Sequence, residues 1–140
     1  MAPERQTKAV GYVHLATVDG AHGADHIQRH KDTVIACCRD SRILLTHMVI
    51  DIRGRQGRGR ALDLLVMERA SLLIVPSLAQ LAQSCAELAP MLAHYFSPPA
   101  GVADLIAVVD GIDTRTAQGR IAIDVLHTVA RFESGSVYHA

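Results

Sequence analysis

The residues best suited to chemistry are four arginines that alternate with glycine and glutamine in residues 53–60. Guanidinium groups are planar and permanently charged, and they can hold a phosphate through two parallel hydrogen bonds. The segment therefore indicates phosphate or DNA contact through Arg53, Arg55, Arg58 and Arg60. A mobile, solvated loop is the simpler interpretation of the same composition, and we favour it where no other signal is considered.

Histidine and cysteine could bring metal or redox chemistry, but neither set of residues makes a complete site. His22, His26 and His30 would share one face of a helix, a spacing that can bind a transition metal. No carboxylate or cysteine is placed to complete such a site, so a solvated face is the better interpretation. The three cysteines have neither metal-ligand nor disulfide spacing, which indicates buried, reduced thiols. We therefore expect no metal and no cofactor.

Length and composition indicate one cytoplasmic α/β domain. The chain has 140 residues, of which 49% are hydrophobic. Its 14 basic and 14 acidic residues cancel, so the domain as a whole lacks the positive charge that dominates affinity for DNA. We find no signal peptide and no apolar run of membrane length, and we expect no contact with a membrane.

Alternating strand and helix patterns must position these residues. Strands are predicted over 9–16, 43–51, 72–75 and 105–109, and helices over 24–38, 61–69, 78–96 and from 113 or 114 to 133. This order predicts an α/β fold with a mostly parallel sheet of about four strands flanked by helices. Ser84 and Glu87 form a capping-box pattern that would divide the third helical region. Residues 1–8 and 134–140 are expected to be tails around one domain over 9–133.

The last helix carries an apolar stripe. It follows a turn at Asp110-Gly111, and its apolar positions recur with helical spacing. We predict that this stripe is a surface for self-association, with the candidate contacts Val125, Leu126, Val129 and Phe132. Packing of the same stripe against the sheet is an equally good interpretation.

Four segments resemble the catalytic domain of resolvase/invertase-type serine recombinases. Residues 110–114 (Asp-Gly-Ile-Asp-Thr), then Gly119 and residues 129–133 (Val-Ala-Arg-Phe-Glu), resemble its strand, turn and long helix. Residues 11–17 (Gly-Tyr-Val-His-Leu-Ala-Thr) resemble its first strand, and residues 62–65 (Leu-Asp-Leu-Leu) its short second helix. Residues 73–84 line up with a segment that in the family ends Leu-Asp-Arg-Leu-x-Arg-Asp. The resemblance covers 9–133 and implies a domain that ends in a shortened form of the family's long helix.

The family's catalytic groups are missing from the matching positions. The resemblance implies a serine that attacks a DNA phosphodiester, with arginines that stabilise the developing charge. The matching positions are Ala16 for the nucleophile, and His14, Ala79, Gln80, Gln83 and Ser134 for the charged groups. Only the arginine of the mobile loop has a counterpart, at Arg58 or Arg60. Thr17 should point to the opposite face of the strand, and it is a poor substitute.

Three functions fit these observations. The first is a catalytically inactive recombinase-like domain that serves as an interaction or regulatory module, as a homodimer or with a partner protein. The alternative is a DNA-binding accessory protein or divergent recombinase that acts in DNA recombination through Arg53–Arg60. A small-molecule binder at the carboxyl ends of the strands is the third, but no glycine-rich phosphate loop supports it. No DNA-reading domain follows Glu133 in these residues.

Overall fold

Strands and helices alternate along the chain in a computed structural model that describes residues 6–16, 22–97 and 101–137. The elements are β1 (Lys8–Leu15), α1 (His22–Asp40), β2 (Leu44–Ile52), α2 (Gln56–Met67), β3 (Leu72–Val75), a 3-10 turn (Leu78–Gln80), α3 (Cys85–Tyr95), β4 (Asp104–Ala107), β5 (Ile112–Asp113) and α4 (Ala117–Val137). The predicted α/β alternation is confirmed.

The described strands form one sheet in the order β2-β1-β3-β4-β5. β1 pairs in parallel with both β2 and β3, and β3 pairs in parallel with β4. β5 runs antiparallel to β4. The sheet is therefore mostly parallel, as predicted, but it has five strands where about four were expected. The additional strand has two residues directly after the Asp110-Gly111 turn, which is too short to produce a readable alternation.

Helices cover both faces of the sheet. α1 contributes Val34 and Cys38 to a core with Ala9, Val13 and other residues on one face. α2, α3 and α4 cover the opposite face. All four residues of β3 are fully buried, as the unbroken apolar run predicts for an inner parallel strand. Among the described residues, no helix combines the length and the apolar character needed to cross a lipid bilayer.

α2 begins earlier than the sequence predicts, at Gln56, and this corrects our expectation of a loop over residues 53–60. The two glycines inside its first turns lower helix propensity, which is why the pattern indicated a loop. The carboxylate of Asp51 accepts a hydrogen bond of 2.9 Å from the backbone N–H of Gly57. It thereby satisfies one of the free donors of the first helical turn and places a negative charge there.

α4 differs from its prediction at both ends. It begins at Ala117, because Ile112 and Asp113 pair with β4 and the side chain of Thr114 hydrogen-bonds the backbone N–H of Leu105. At the other end the helix continues through Val137, so the expected tail at 134–140 is wrong as far as that residue. Extending an existing helix fixes only one residue for each hydrogen bond that is added. The residues after Glu133 therefore continue the helix, although their own helix propensity is low.

Candidate functional site at the carboxyl ends of β1 and β3

Two neighbouring parallel strands bring the predicted site residues to one edge of the sheet. β1 ends at His14 and Leu15, and β3 leads into the 3-10 turn that contains Gln80. The side-chain oxygen of Gln80 accepts a hydrogen bond of 2.6 Å from the backbone N–H of His14. The imidazole of His14 is buried, and its Nε2 lies 3.3 Å from the carbonyl oxygen of Arg53. The resemblance had named His14 and Gln80 separately, and the structure brings them together.

The side chains of Arg55 and Arg58 donate hydrogen bonds to other groups of the same chain. Arg55 donates through Nε to the carbonyl of Gln80 at 3.4 Å and through Nη2 to that of Ala79 at 3.3 Å. Arg58 Nη1 donates to the carbonyl of Leu81 at 2.5 Å and to Glu87 Oε1 at 2.9 Å. Two of the four arginines therefore connect the start of α2 to the 3-10 turn and α3.

The carboxylate of Glu87 is stabilised in its charged form. A hydrogen bond from the backbone N–H of Gln83 is the main cause that lowers its pKa, and the hydrogen bond from Arg58 is the second. The backbone N–H of Glu87 also donates to Ser84 Oγ at 3.1 Å, which confirms the predicted cap of α3. Glu87 therefore offsets the positive charge of Arg58.

Arg53 and Arg60 are the arginines of this segment that stay exposed to solvent. Within the described part of the chain, neither side chain forms a hydrogen bond or an ion pair. Arg53 has a φ of 74°, the left-handed region that non-glycine residues seldom adopt. Its backbone N–H donates to the carbonyl of Leu15 at 2.7 Å, which joins the end of β2 to the end of β1. These two guanidinium groups could still meet an anion.

Asp51 is an important site residue that sequence reasoning missed. Its Oδ2 accepts a hydrogen bond of 2.6 Å from the hydroxyl of Tyr12, and its Oδ1 accepts from Gly57 as described above. Tyr12 is fully buried. Burial is the largest cause that raises the pKa of the Tyr12 hydroxyl, and the hydrogen bond to the Asp51 carboxylate is the second. The sequence does contain a signal for this role. Asp51 lies between a predicted strand and a glycine-rich segment, and acidic side chains are favourable where helices begin.

The other residues that were matched through the resemblance make fewer contacts with this site. Ala16 is exposed and has no polar side-chain atom, and Thr17 lies outside the described residues. Ala79 and Gln83 are also exposed. Ser134 lies within α4 and follows Glu133, whose Oε2 accepts a hydrogen bond of 2.7 Å from the backbone N–H of Ala86.

The apolar stripe of α4 is divided between core and surface. Phe132 is 79% exposed, Val125 55% and Val129 39%, whereas Leu126 packs against the core. Leu126 therefore does not belong to the predicted self-association surface, because neighbouring helix positions point about 100° apart. Ile121, which is 62% exposed and one turn before Val125, belongs to this surface and was not included in the prediction.

The histidines and cysteines provide no second site. Among the described residues, no group of three histidines, cysteines or carboxylates could hold a metal ion. Burial, and then the charges of His26 and Arg29, lower the pKa of His30. Cys38 is the buried thiol, with a pKa that burial raises to about 11. The other two cysteines are unpaired but only partly buried, which corrects the expectation that all three are buried.

Solved structures share this arrangement of elements over nearly the whole chain. The N-terminal catalytic domain of TP901-1 integrase matches with a TM-score of 0.80 and 17% identity, over 94% of this chain and 100% of that domain. A resolvase family site-specific recombinase from Streptococcus pneumoniae matches with a TM-score of 0.79 and 20% identity, over 95% of this chain and 91% of that one. The protein has a recombinase catalytic-domain fold. No family model and no curated protein matches the chain.

The recombinase fold confirms the resemblance seen in the sequence at the level of architecture. Within this fold, the end of β1 presents a methyl group at Ala16 and a buried imidazole at His14. The adjoining turn presents an amide at Gln80, already bonded to β1. The described site therefore offers two free guanidinium groups for anion contact, but no hydroxyl at position 16 for attack on phosphorus.

Proposed function

We propose that this recombinase-fold domain does not cleave DNA, and that it acts in the cytoplasm as a self-associating interaction or regulatory module. The observation that carries the proposal is the state of the strand-end site. Arg55 and Arg58 donate to backbone carbonyls and to Glu87, while Ala16 stands at the family's nucleophile position. These arginines therefore stabilise the fold, and the site has no nucleophile at position 16.

Phosphoryl transfer to a protein hydroxyl needs a nucleophile and charge stabilisation together. The transition state gathers negative charge on the phosphate oxygens, and fixed cations must already point at it. The amides of Gln80 and Gln83 cannot supply that charge in the way that guanidinium groups do. Restoring a single group should therefore not restore the reaction.

Self-association is supported by the surface of α4. Its exposed apolar side chains, Ile121, Val125, Val129 and Phe132, lie within successive turns on one side of the helix. Single exposed apolar residues are common on soluble proteins, but a contiguous set marks a surface for contact.

A DNA-cleavage assay tests the loss of catalysis. Supercoiled plasmid is incubated with the wild-type protein and with Ala16→Ser, and the products are examined on denaturing gels for nicks and for covalently attached protein. We expect neither product from either protein, because Ala16→Ser restores the hydroxyl without the charged groups. A covalent complex with the wild-type protein would overturn the proposal.

DNA binding without cleavage is the second candidate, and the exposure of Arg53 and Arg60 favours it. It predicts affinity for duplex DNA that falls steeply with salt and is lost in Arg53→Ala/Arg60→Ala. Arg29→Ala/Arg39→Ala removes the same charge from the exposed surface of α1 and is the matched control. Fluorescence anisotropy at low and moderate salt measures both. Loss of binding in the first variant alone would establish the accessory role, and equal binding of all three would exclude it.

A further inference from the structure

The outer edge of β2 has no strand beside it. β2 is the first strand in the order of the sheet, and among residues 6–16, 22–97 and 101–137 no strand pairs with the side that faces away from β1. The pairing with β1 skips Thr46, so the regular part of this edge runs over residues 47–52. Lysine and proline often protect sheet edges, and residues 47–52 contain neither. The edge is therefore open to a further strand.

The backbone groups of two residues point out from the middle of this edge. The backbone N–H of Arg53 donates to the carbonyl of Leu15 in β1. Successive residues of a strand direct their backbone groups to opposite sides. Counting back from Arg53, Ile50 and Met48 therefore direct their N–H and C=O groups away from β1. These are the groups that an added strand would pair with.

A groove of about 450 Å³ lies between this edge and α2. It is lined by residues 47–51 of β2 and by Gln56, Gly57, Arg60 and Leu64 of α2. Consecutive strand residues point their side chains to opposite faces of the sheet. Because the lining includes every residue from 47 to 51, the backbone edge itself borders the groove. An extended segment could therefore lie along β2 with one row of its side chains beside α2.

The two faces of this edge differ in chemistry. On the face covered by α2, Arg60 is exposed and has no hydrogen bond or ion pair in the described part of the chain. The carboxylate of Asp51 is on the same face, but it already accepts two hydrogen bonds within the chain. On the face covered by α1, Ile50 and Ile52 are exposed apolar side chains. The edge therefore offers a positive charge on one face and an apolar surface on the other.

We propose that the edge of β2 binds an extended, acidic peptide segment of another protein by strand addition. Main-chain hydrogen bonds to β2 supply affinity, and alternate side chains supply specificity. The acidic side chains of the segment lie beside Arg60, and its apolar side chains lie beside Ile50 and Ile52. A second copy of β2 fits less well, because its only carboxylate, at Asp51, is already held within its own chain.

This site is separate from the surfaces on which the proposed function rests. α4 contacts β5, at the opposite edge of the sheet from β2. The position of the missing nucleophile, Ala16, is not among the residues that line the groove. Failure of peptide binding would therefore overturn this site and leave the proposed loss of catalysis and self-association unaffected.

A peptide titration tests the charge of the groove. Fluorescence anisotropy follows a labelled nine-residue peptide that alternates valine and glutamate, mixed with the wild-type protein, Arg60→Ala or Arg131→Ala. We expect the wild type to bind and Arg60→Ala to bind about tenfold more weakly, because it loses a hydrogen bond between charged groups. Arg131→Ala removes an exposed arginine from α4 and should bind as the wild type does. No binding by the wild type, or equal losses in both variants, would overturn the proposal.

Variants of the peptide test strand addition without any risk to the fold of the protein. N-methyl groups are placed on all valines or, in a second peptide, on all glutamates, so that the amides of only one edge of the strand are blocked in each. Successive residues face opposite edges, so one methylated peptide should lose binding and the other should keep it. If both bind or neither binds, strand addition is wrong.

A composition control and a DNA competitor exclude simple attraction between charges. A peptide with the same valines and glutamates in two blocks should bind about tenfold more weakly than the alternating peptide, because its side chains no longer match the two faces of the edge. Equal binding of the two peptides would overturn the proposal. Displacement of the alternating peptide by a lower concentration of duplex DNA would assign Arg60 to DNA and would also overturn it.

Discussion

The carboxylate of Asp51 satisfies two groups that would otherwise lack a partner, the buried hydroxyl of Tyr12 and the first-turn N–H of Gly57. We expect Asp51→Ala to lower the free energy of unfolding by about 2–3 kcal/mol, because an unsatisfied buried donor costs more than its hydrogen bond contributed. Chemical denaturation measures the change.

Matched variants separate the two bonds of Asp51. Tyr12→Phe removes the hydroxyl and should cost about 1 kcal/mol. In Tyr12→Phe/Asp51→Ala the loss should be smaller than the sum of the single losses, since the second change no longer orphans a hydroxyl. Asp63→Ala removes an exposed carboxylate from α2 and should change stability little. Strict additivity of the two substitutions would contradict the coupling.

Alkaline pH should weaken the fold through Tyr12. Burial and the Asp51 carboxylate raise the pKa of this phenol in the folded protein, while the unfolded chain has the ordinary value of about 10. The folded state then holds its proton where the unfolded state releases it, so stability is complete below about pH 10 and falls as the pH rises further. Unfolding free energies measured from pH 8 to 11 should fall less steeply in Tyr12→Phe. Identical slopes would contradict this assignment.

At the scale of elements, close packing fixes where α4 begins. A Cβ atom at Gly119 would collide with the backbone carbonyl of Asp113, the last residue of β5. We expect Gly119→Ala to cost about 3 kcal/mol or more, because the helix must move away from the strand. Gly59→Ala is the control in α2, where a Cβ would meet nothing within 4 Å. It should stabilise the protein by about 0.5–1 kcal/mol. Thermal unfolding of both variants checks the contrast.

The elements that were predicted correctly are determined by residues close to them in the sequence. The run Leu72–Val75 is apolar without interruption and is followed by Pro76, so the burial and the end of β3 can be read directly. Ser84 and Glu87 are three residues apart, and the cap of α3 followed from that spacing. The start of α2 could not be predicted, since it depends on Asp51 and on contacts of Arg55 and Arg58 with a turn more than twenty residues away.

At the scale of the whole molecule, the sheet should protect its strands unequally. β1 and β3 each pair with strands on both sides, and β3 is fully buried. Among the described strands, β5 pairs only with β4, and it has two residues. We expect backbone amides of β1 and β3 to exchange hydrogen most slowly and those of β5 much faster, because exchange follows the free energy of local opening. Equal protection of β5 and β3 in an exchange experiment would show that the sheet opens only as a unit.

The α/β order of elements could be predicted because most strands and helices have their own hydrophobic period, whereas the recombinase fold was implied by the resemblance of short segments. The resemblance named His14 and Gln80 as separate positions, and the hydrogen bond between them was found only in the structure. The use of Arg55 and Arg58 as internal donors was not predicted. A guanidinium group that contacts phosphate and one that contacts a carbonyl look identical in a sequence.

The bond between Gln80 and His14 has a consequence for the crevice between two strands. The chain leaves β1 toward β2 on one side and returns to β3 on the other, so the strand order reverses there. Ligands of α/β proteins enter at such reversals, beyond the carboxyl ends of the strands. Here the side-chain oxygen of Gln80 is bonded to the backbone N–H of His14, so the chain itself occupies this polar group at the reversal. A small molecule that took the place of Gln80 there would leave the backbone N–H of His14 without its acceptor, and this cost disfavours a small-molecule site that uses that N–H.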